Sequence, residues 1–461
     1  MSPVPDRTPA RAPGPAPGGA PTRLLRNRGF TSLVTVQAVS VLGNQIMSIA
    51  LPLLTLELTG SPAQAGIVAG LGAAPYVVFS LVAGALVDRW DHRTVLMVCN
   101  VLRAGVILWV PLAHAAGLLS VVQLYVVSLA TGTAFVFFNI AELKALPLTV
   151  DTVQLQKASS VNAVTESTGG LIGPGVGGTL VGLGSTPLVG GVLALFVAAV
   201  SYAVSVLPLF ALPRSPARTR TSVRRAGKEG EERAGGGGGS GIRGEIVEGL
   251  AFLWHHRAIR RIALVSAGLN LLFSPAYLAV MVLAGTDLHM SDAAIGLLFS
   301  LGGAAGILGG VLAPRLTRRL THAKVIVGSL AAWAVVMPLL PWAMTPAMLV
   351  AGWMLVTLIS PVYDVTQLSY RLSLISDELQ GRVNSTFRFI AWGLRPLATG
   401  AGGLVTAALG PRATLGIAAG GMVLLALGAV LTSRRRPLLP ANDGEAASGT
   451  AADTSCKDGC S

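Results

Sequence analysis

Charge is what this chain has least of: Asp, Glu, Lys and Arg make up only 12% of its 461 residues. A soluble globular protein carries about a quarter. So few charges cannot cover a water-facing surface. With 52% hydrophobic residues, most of the exterior must face lipid. Cysteine is scarce too. The three present exclude a disulfide framework. Cys99 lies in an apolar run as packing, and Cys456 and Cys460 fall short of the roughly four ligands of a structural zinc site. The histidines do not cluster at ligand spacing, so no metal is expected. A Gly-x-x-x-x-Gly-Lys-Ser/Thr phosphate loop, a His-Glu-x-x-His pair and a Gly-x-Ser-x-Gly elbow are all missing. Those absences argue against a nucleotide motor, an enzyme and a cofactor. The net charge of +13 does not imply nucleic acid, because the basic residues sit between apolar runs and at the termini, not on a stripe interleaved with aromatics.

What is present is a series of apolar runs, each close to the ~20 residues a spanning helix needs. They fall at about 30–57, 64–86, 95–115, 119–139, 158–182, 187–211, 262–285, 292–312, 324–344, 347–370, 384–408 and 412–432. The expected fold is an all-α membrane protein of twelve transmembrane helices in two pseudo-symmetric six-helix bundles. Residues 1–28, rich in Pro, Ala, Gly and Arg, read as a disordered basic arm. The bundles are expected at 29–212 and 259–433, joined by a charged, glycine-rich linker over 213–258, with a disordered tail at 434–461. Lys and Arg crowd alternate loops, the linker and both termini, while the loops at 59–64, 183–187 and 342–346 hold almost none. The positive-inside rule then places both termini and the linker in the cytoplasm. The Ala-, Gly- and Arg-rich composition suggests a bacterial inner membrane.

The halves repeat. Gly84-x-x-x-Asp88-Arg89-x-x-x-Arg93 follows the second span, and Gly310-x-x-x-Pro314-Arg315-x-x-x-Arg319 follows the eighth. In the fifth span Asn162 precedes Pro174 by twelve positions, with Gly177 and Gly178 after it; in the eleventh, Asn384 precedes Pro396 by the same interval. Two repeated halves with a site between them describe a secondary transporter. At these residues the chain resembles the major facilitator superfamily, from about Arg26 to Thr432. Ala50-Leu51-Pro52, Leu58-Thr59-Gly60-Ser61, Leu102-Arg103-Ala104 and Gly381-Arg382-Val383-Asn384-Ser385 with Trp392-Gly393 make it most similar to the twelve-helix drug–proton antiporter branch. The resemblance implies efflux of a small amphipathic compound, such as an antibiotic, drug or siderophore-like metabolite, in exchange for protons. Asp91-His92 departs from the family's loop signature, and Asn44 stands where many branch members have an acid.

Charges inside a bilayer are costly and therefore candidates for function. Glu166 and Asp364 are the candidates for proton coupling. Asn44, Arg103, Asn162, Asn270, Arg388 and Arg395 are candidates for the substrate cavity, with Arg103 about 15 Å beyond Arg93 along the helix. The competing reading is structural: arginines snorkel and amides bond neighbouring helices. Gly84, Asp88, Arg89, Arg93, Arg315, Arg319 and Arg382 are the expected cytoplasmic gate. There Gly84 would let the second helix approach a neighbour, and the resemblance implies that Asp88 meets the start of the eleventh helix. Gly173, Pro174, Gly177, Gly178 and Pro396 are expected at helix contacts. The partners implied are the lipid bilayer, a small-molecule substrate and protons; a monomer is expected. An importer or facilitator on the same fold, or a non-transporting membrane receptor, remains open on sequence alone.

Overall fold

A computed structural model describes residues 27–87, 89–150, 154–212, 251, 253–375 and 377–435. Every regular element among the described residues is helical, as a bilayer requires of a chain that must satisfy its own backbone. The helices are α1 (Arg28–Thr59), α2 (Pro62–Val87), α3 (His92–Ala115), α4 (Val121–Thr149), α5 (Leu155–Gly182), α6 (Pro187–Leu209), α7 (Arg257–Thr286), α8 (Asp292–Arg319), α9 (His322–Val336), α10 (Pro346–Ser373), α11 (Asp377–Gly393), α12 (Arg395–Leu409) and α13 (Pro411–Arg435). Local chemistry sets several starts. Asn27 caps α1 by accepting from Gly29 N and Phe30 N at 3.0 and 3.3 Å. Asp91, the departure in the loop signature, caps α3 by accepting from Thr94 N at 3.1 Å. Gly60 ends α1 at φ +63°, a conformation glycine adopts without a Cβ penalty.

Three boundaries differ from the sequence reading. α4 runs ten residues past its expected end at 139, which brings Glu142 and Lys144 from a loop into the helix. α9 tightens into a 3₁₀ turn over Met337–Trp342, where Pro338 and Pro341 lie. The eleventh span is broken at Leu394, because Pro396 at the second position of α12 has no N–H to donate to the carbonyl of Trp392. Of the expected linker, residues 213–250 and 252 fall outside the described residues, as do residues 1–26 of the arm and 436–461 of the tail.

Among the described residues, ten stretches are long and apolar enough to cross a membrane. α5 is not among them, nor are α11 and α12. α5 carries Asn162, Thr165, Glu166, Ser167 and Thr168 in two turns, which lipid would not tolerate. Packing explains the exception. Helices α1–α6 pack chiefly on one another, as do α7–α13, and the extensive contacts between the two groups are α5 on α8 and α2 on α12. The polar α5 thus lies where the groups meet, and the eleventh span, broken into two pieces too short to count, meets the other group there through α12.

Candidate functional site

Short connections make successive helices antiparallel, so the loops at 60–61, 183–186, 287–291 and 410 share one end, here the distal end. The start of α1 and the end of α13 share the other, here the terminal end. Among the described residues, the backbone approaches between the two groups at glycines lie in the distal half. A Cβ placed on Gly178 would lie 2.5 Å from the Asp292 carbonyl oxygen and 2.6 Å from Gly296 Cα. One on Gly66 would lie 2.5 Å from Gly403 Cα, and one on Gly70 2.9 Å from the Pro396 carbonyl oxygen. Ser300 Oγ accepts from Gly175 N at 2.7 Å. Glycine at these positions lets backbones touch and seals the distal end. In the terminal half the same helices expose Glu166, Ser167 and Thr168 on α5 and Arg388 on α11. Such side chains face water, not lipid, so a cleft between the groups opens toward the chain termini.

Beside that cleft, within α1–α6, lies a buried polar nest. Arg103 on α3 is 1% exposed. Its guanidinium carbon sits 5.4, 5.0 and 5.2 Å from the ring centres of Phe135, Phe138 and Tyr202, and its three side-chain nitrogens have no hydrogen-bond partner. Cation–π contacts of this kind are worth about 2 kcal/mol or more each when desolvated, so three rings offset much of the several kcal/mol that burying a charge costs. A nearby counter-charge would offset the rest. Phe135, Phe138 and Glu142 follow one another at helical spacing on the same face of α4. Glu142 is buried, its Oε1 is unpartnered, and it lies within electrostatic reach of both Arg103 and Glu166. Tyr202 donates to Asn44 Oδ1 at 2.5 Å. Asn100 donates to Ser205 Oγ at 2.7 Å and Ser40 Oγ at 3.2 Å. Glu142 was missed because the apolar run was read as ending at 139; the signal was its spacing from Phe138 and Leu146.

The remaining candidates scatter. Asn44 bonds within its own group of helices, and Asn270 donates to Ser266 O, one turn back, at 3.0 Å. Asn162 is half-buried with Oδ1 unpartnered. Asp364 is exposed on α10, next to buried Tyr363, whose hydroxyl lies 2.9 Å from Ser266 Oγ. Arg93 donates to Leu212 O at 3.0 Å, which ties α3 to the end of α6, and Arg315 bonds Val311 O on its own helix at 3.1 Å. Arg89 and Arg319 are exposed. Asp88 and the side chain of Arg382 lie outside the described residues. Gly84 makes no close helix approach here: the space a Cβ would need is open, and its carbonyl accepts from Lys144 Nζ at 2.9 Å. The physical reason is the open cleft, which holds the terminal ends of the two groups apart. A Cβ on Gly173 would meet the Gln45 side chain, and one on Gly177 would lie 3.1 Å from Ile46 Cα.

Two groups of helices, sealed at one end and parted at the other around polar helices, define a multi-pass membrane protein built to pass solutes. The chain belongs to the Major Facilitator Superfamily, whose model matches residues 33–394 and 263–455. It is 27% identical over 408 residues to the multidrug efflux pump Tap of Mycolicibacterium fortuitum, covering 86% of this chain and 93% of that one. It is 25% identical over 191 residues to the enterobactin exporter EntS of Escherichia coli O1:K1, covering 41% and 44%. A bacterial homologue of the iron transporter ferroportin, solved in an inward-facing state, superposes with a TM-score of 0.68 at 17% identity, covering 89% of this chain and 100% of that one.

Proposed function

We propose that this protein is a proton-coupled exporter of small amphipathic compounds, with twelve spans in two six-helix bundles and both termini in the cytoplasm of a bacterium. The similarity to a multidrug efflux pump over most of both chains supports export. The Lys and Arg of alternate loops support the orientation, and on it the cleft opens inward, ready to load from the cytoplasm. What supports proton coupling is two buried groups within electrostatic reach of each other, Arg103 and Glu142, and the exposed Glu166, which Glu142 also feels. Glu166 exchanges protons with cytoplasmic water. Glu142 holds either a proton or the charge of Arg103, so loading and discharging it biases the bundle between its two states. Asp364 is the alternative acid. Asp88 and Arg382 would form the gate that closes the inward cleft.

Inverted vesicles test the whole reading. An inwardly acidic gradient should drive accumulation of at least one compound from a panel of drugs and siderophores, and a protonophore should abolish it. Accumulation indifferent to the gradient would mark a facilitator; none with any compound, from protein shown to be folded, would favour a receptor. Orientation has its own check. A Gly236→Cys substitution in the linker should resist a membrane-impermeant thiol reagent in intact cells and react in inverted vesicles. Ready labelling in intact cells would reverse the topology.

A further inference from the structure

Arg388, Trp392 and Arg395 follow at i, i+4 and i+7 across the α11–α12 break, so they share a face. The same face continues into the distal seal, where Pro396, Thr399 and Gly403 touch α2 at Gly70 and Gly66. The stripe therefore looks across the cleft at the other bundle, just on the open side of the seal. Opposite it stands Tyr76 of α2, whose ring centre lies 5.4 Å from that of Trp392. Beside Arg395 lies Tyr277, which also faces Ser48 of α1.

Both arginines are exposed. Among the described residues an ion pair forms where one is useful to the fold, Arg412 with Asp287 at 2.8 Å; neither Arg388 nor Arg395 has one. The cation within reach of Arg388 is Arg371, of like sign, and the neighbour of Arg395 is the Tyr277 phenol. Arg388 already lies over the Trp392 ring, 5.5 Å from its centre. Two guanidiniums within one span and without a carboxylate, one of them over a ring face and the other beside a phenol, are complementary to a planar ring that bears a negative charge.

We propose that this stripe binds aromatic anions as the exported substrate class, a reading that rests on the exporter function above. The ring stacks on Trp392 and Tyr76, and the carboxylate or phenolate meets Arg388 or Arg395. Export of an anion against entry of a proton moves positive charge inward twice, so the membrane potential drives the exchange as well as the proton gradient.

The test is binding of tritiated 1-naphthoate to the purified full-length protein by scintillation proximity, with 1-naphthamide and 1-naphthylmethylammonium as competitors. Naphthoate should bind at least about tenfold tighter than the neutral amide, with the cation weakest. Arg388→Gln and Arg395→Gln should each reduce that preference, and Arg→Lys at each position should keep part of it. Equal binding of the three compounds, or preference for the cation, in the unaltered protein would overturn the proposal whatever the variants do. Proton-driven efflux of other compounds without a charge preference would sink this inference and leave the exporter reading standing. Charge-selective binding without proton-driven transport would do the reverse.

Discussion

Glu142→Gln is expected to lower proton-driven efflux at least about tenfold, at equal expression, while substrate-for-substrate exchange across the same vesicles continues. The two readouts separate coupling from folding. Exchange needs both conformations and an intact cavity; uphill transport also needs a group that takes a proton in one state and returns it in the other. Gln resembles Glu in shape and cannot do that. The variant also leaves Arg103 buried without a counter-charge, so the dependence of efflux on pH should flatten as the state equilibrium ceases to follow protonation. Glu166→Gln should have a smaller effect, because Glu166 is exposed, and a proton it would relay can reach the buried acid by another path through the open cleft. Full uphill efflux by Glu142→Gln would remove this residue from the mechanism and return the role to Asp364.

Gly178→Val should bring transport down to about a tenth or less, by preventing the distal seal. Its new Cβ would meet backbone on both sides, the Asp292 carbonyl at 2.5 Å and Gly296 Cα at 2.6 Å. Neither can rotate away as a side chain could. Overpacking of this kind costs about 1–3 kcal/mol, which moves a two-state equilibrium about five- to more than a hundredfold. The cost falls on one state only, because the contact with α8 exists only while the distal end is shut. A cysteine at Ala293, which lies against Gly182 across the same seam, should react faster with an impermeant thiol reagent from outside the cell in the Gly178→Val background. Normal transport with unchanged reactivity would mean that α5 and α8 are not the seal.

Much of this site was legible residue by residue and not as an arrangement. The repeat between the fifth and eleventh spans picked out α5, too polar to rank with the apolar spans, and the eleventh span, which breaks into two short helices. Arg103 was singled out as an intramembrane charge, but its neighbours were not: Phe135 and Phe138 come from α4 and Tyr202 from α6, and nothing in linear order brings these three helices together. Glu142 was lost to a boundary. Hydropathy falls where a helix gains polar residues, and it falls in the same way whether the helix has left the membrane or turned a polar side chain toward a buried arginine. The glycines of α5 were marked for close packing, yet which of them faces α1 and which faces α8 depends on how the bundles are set.

The sequence by itself determined that this is a helical membrane protein, where most spans lie, and which end is basic. These follow from the cost of unsatisfied backbone and of charge in hydrocarbon, costs that act on each segment separately. Only the tertiary structure decided which polar side chains are buried and which face a cleft, that the distal end is the sealed one, and that the eleventh span's two arginines stand unpaired across from an aromatic ring. Those properties belong to contacts between helices far apart in the chain. In a membrane, such contacts are chosen by the fit of small residues against backbone and by the pairing of a few charges, neither of which leaves a periodic trace in the sequence.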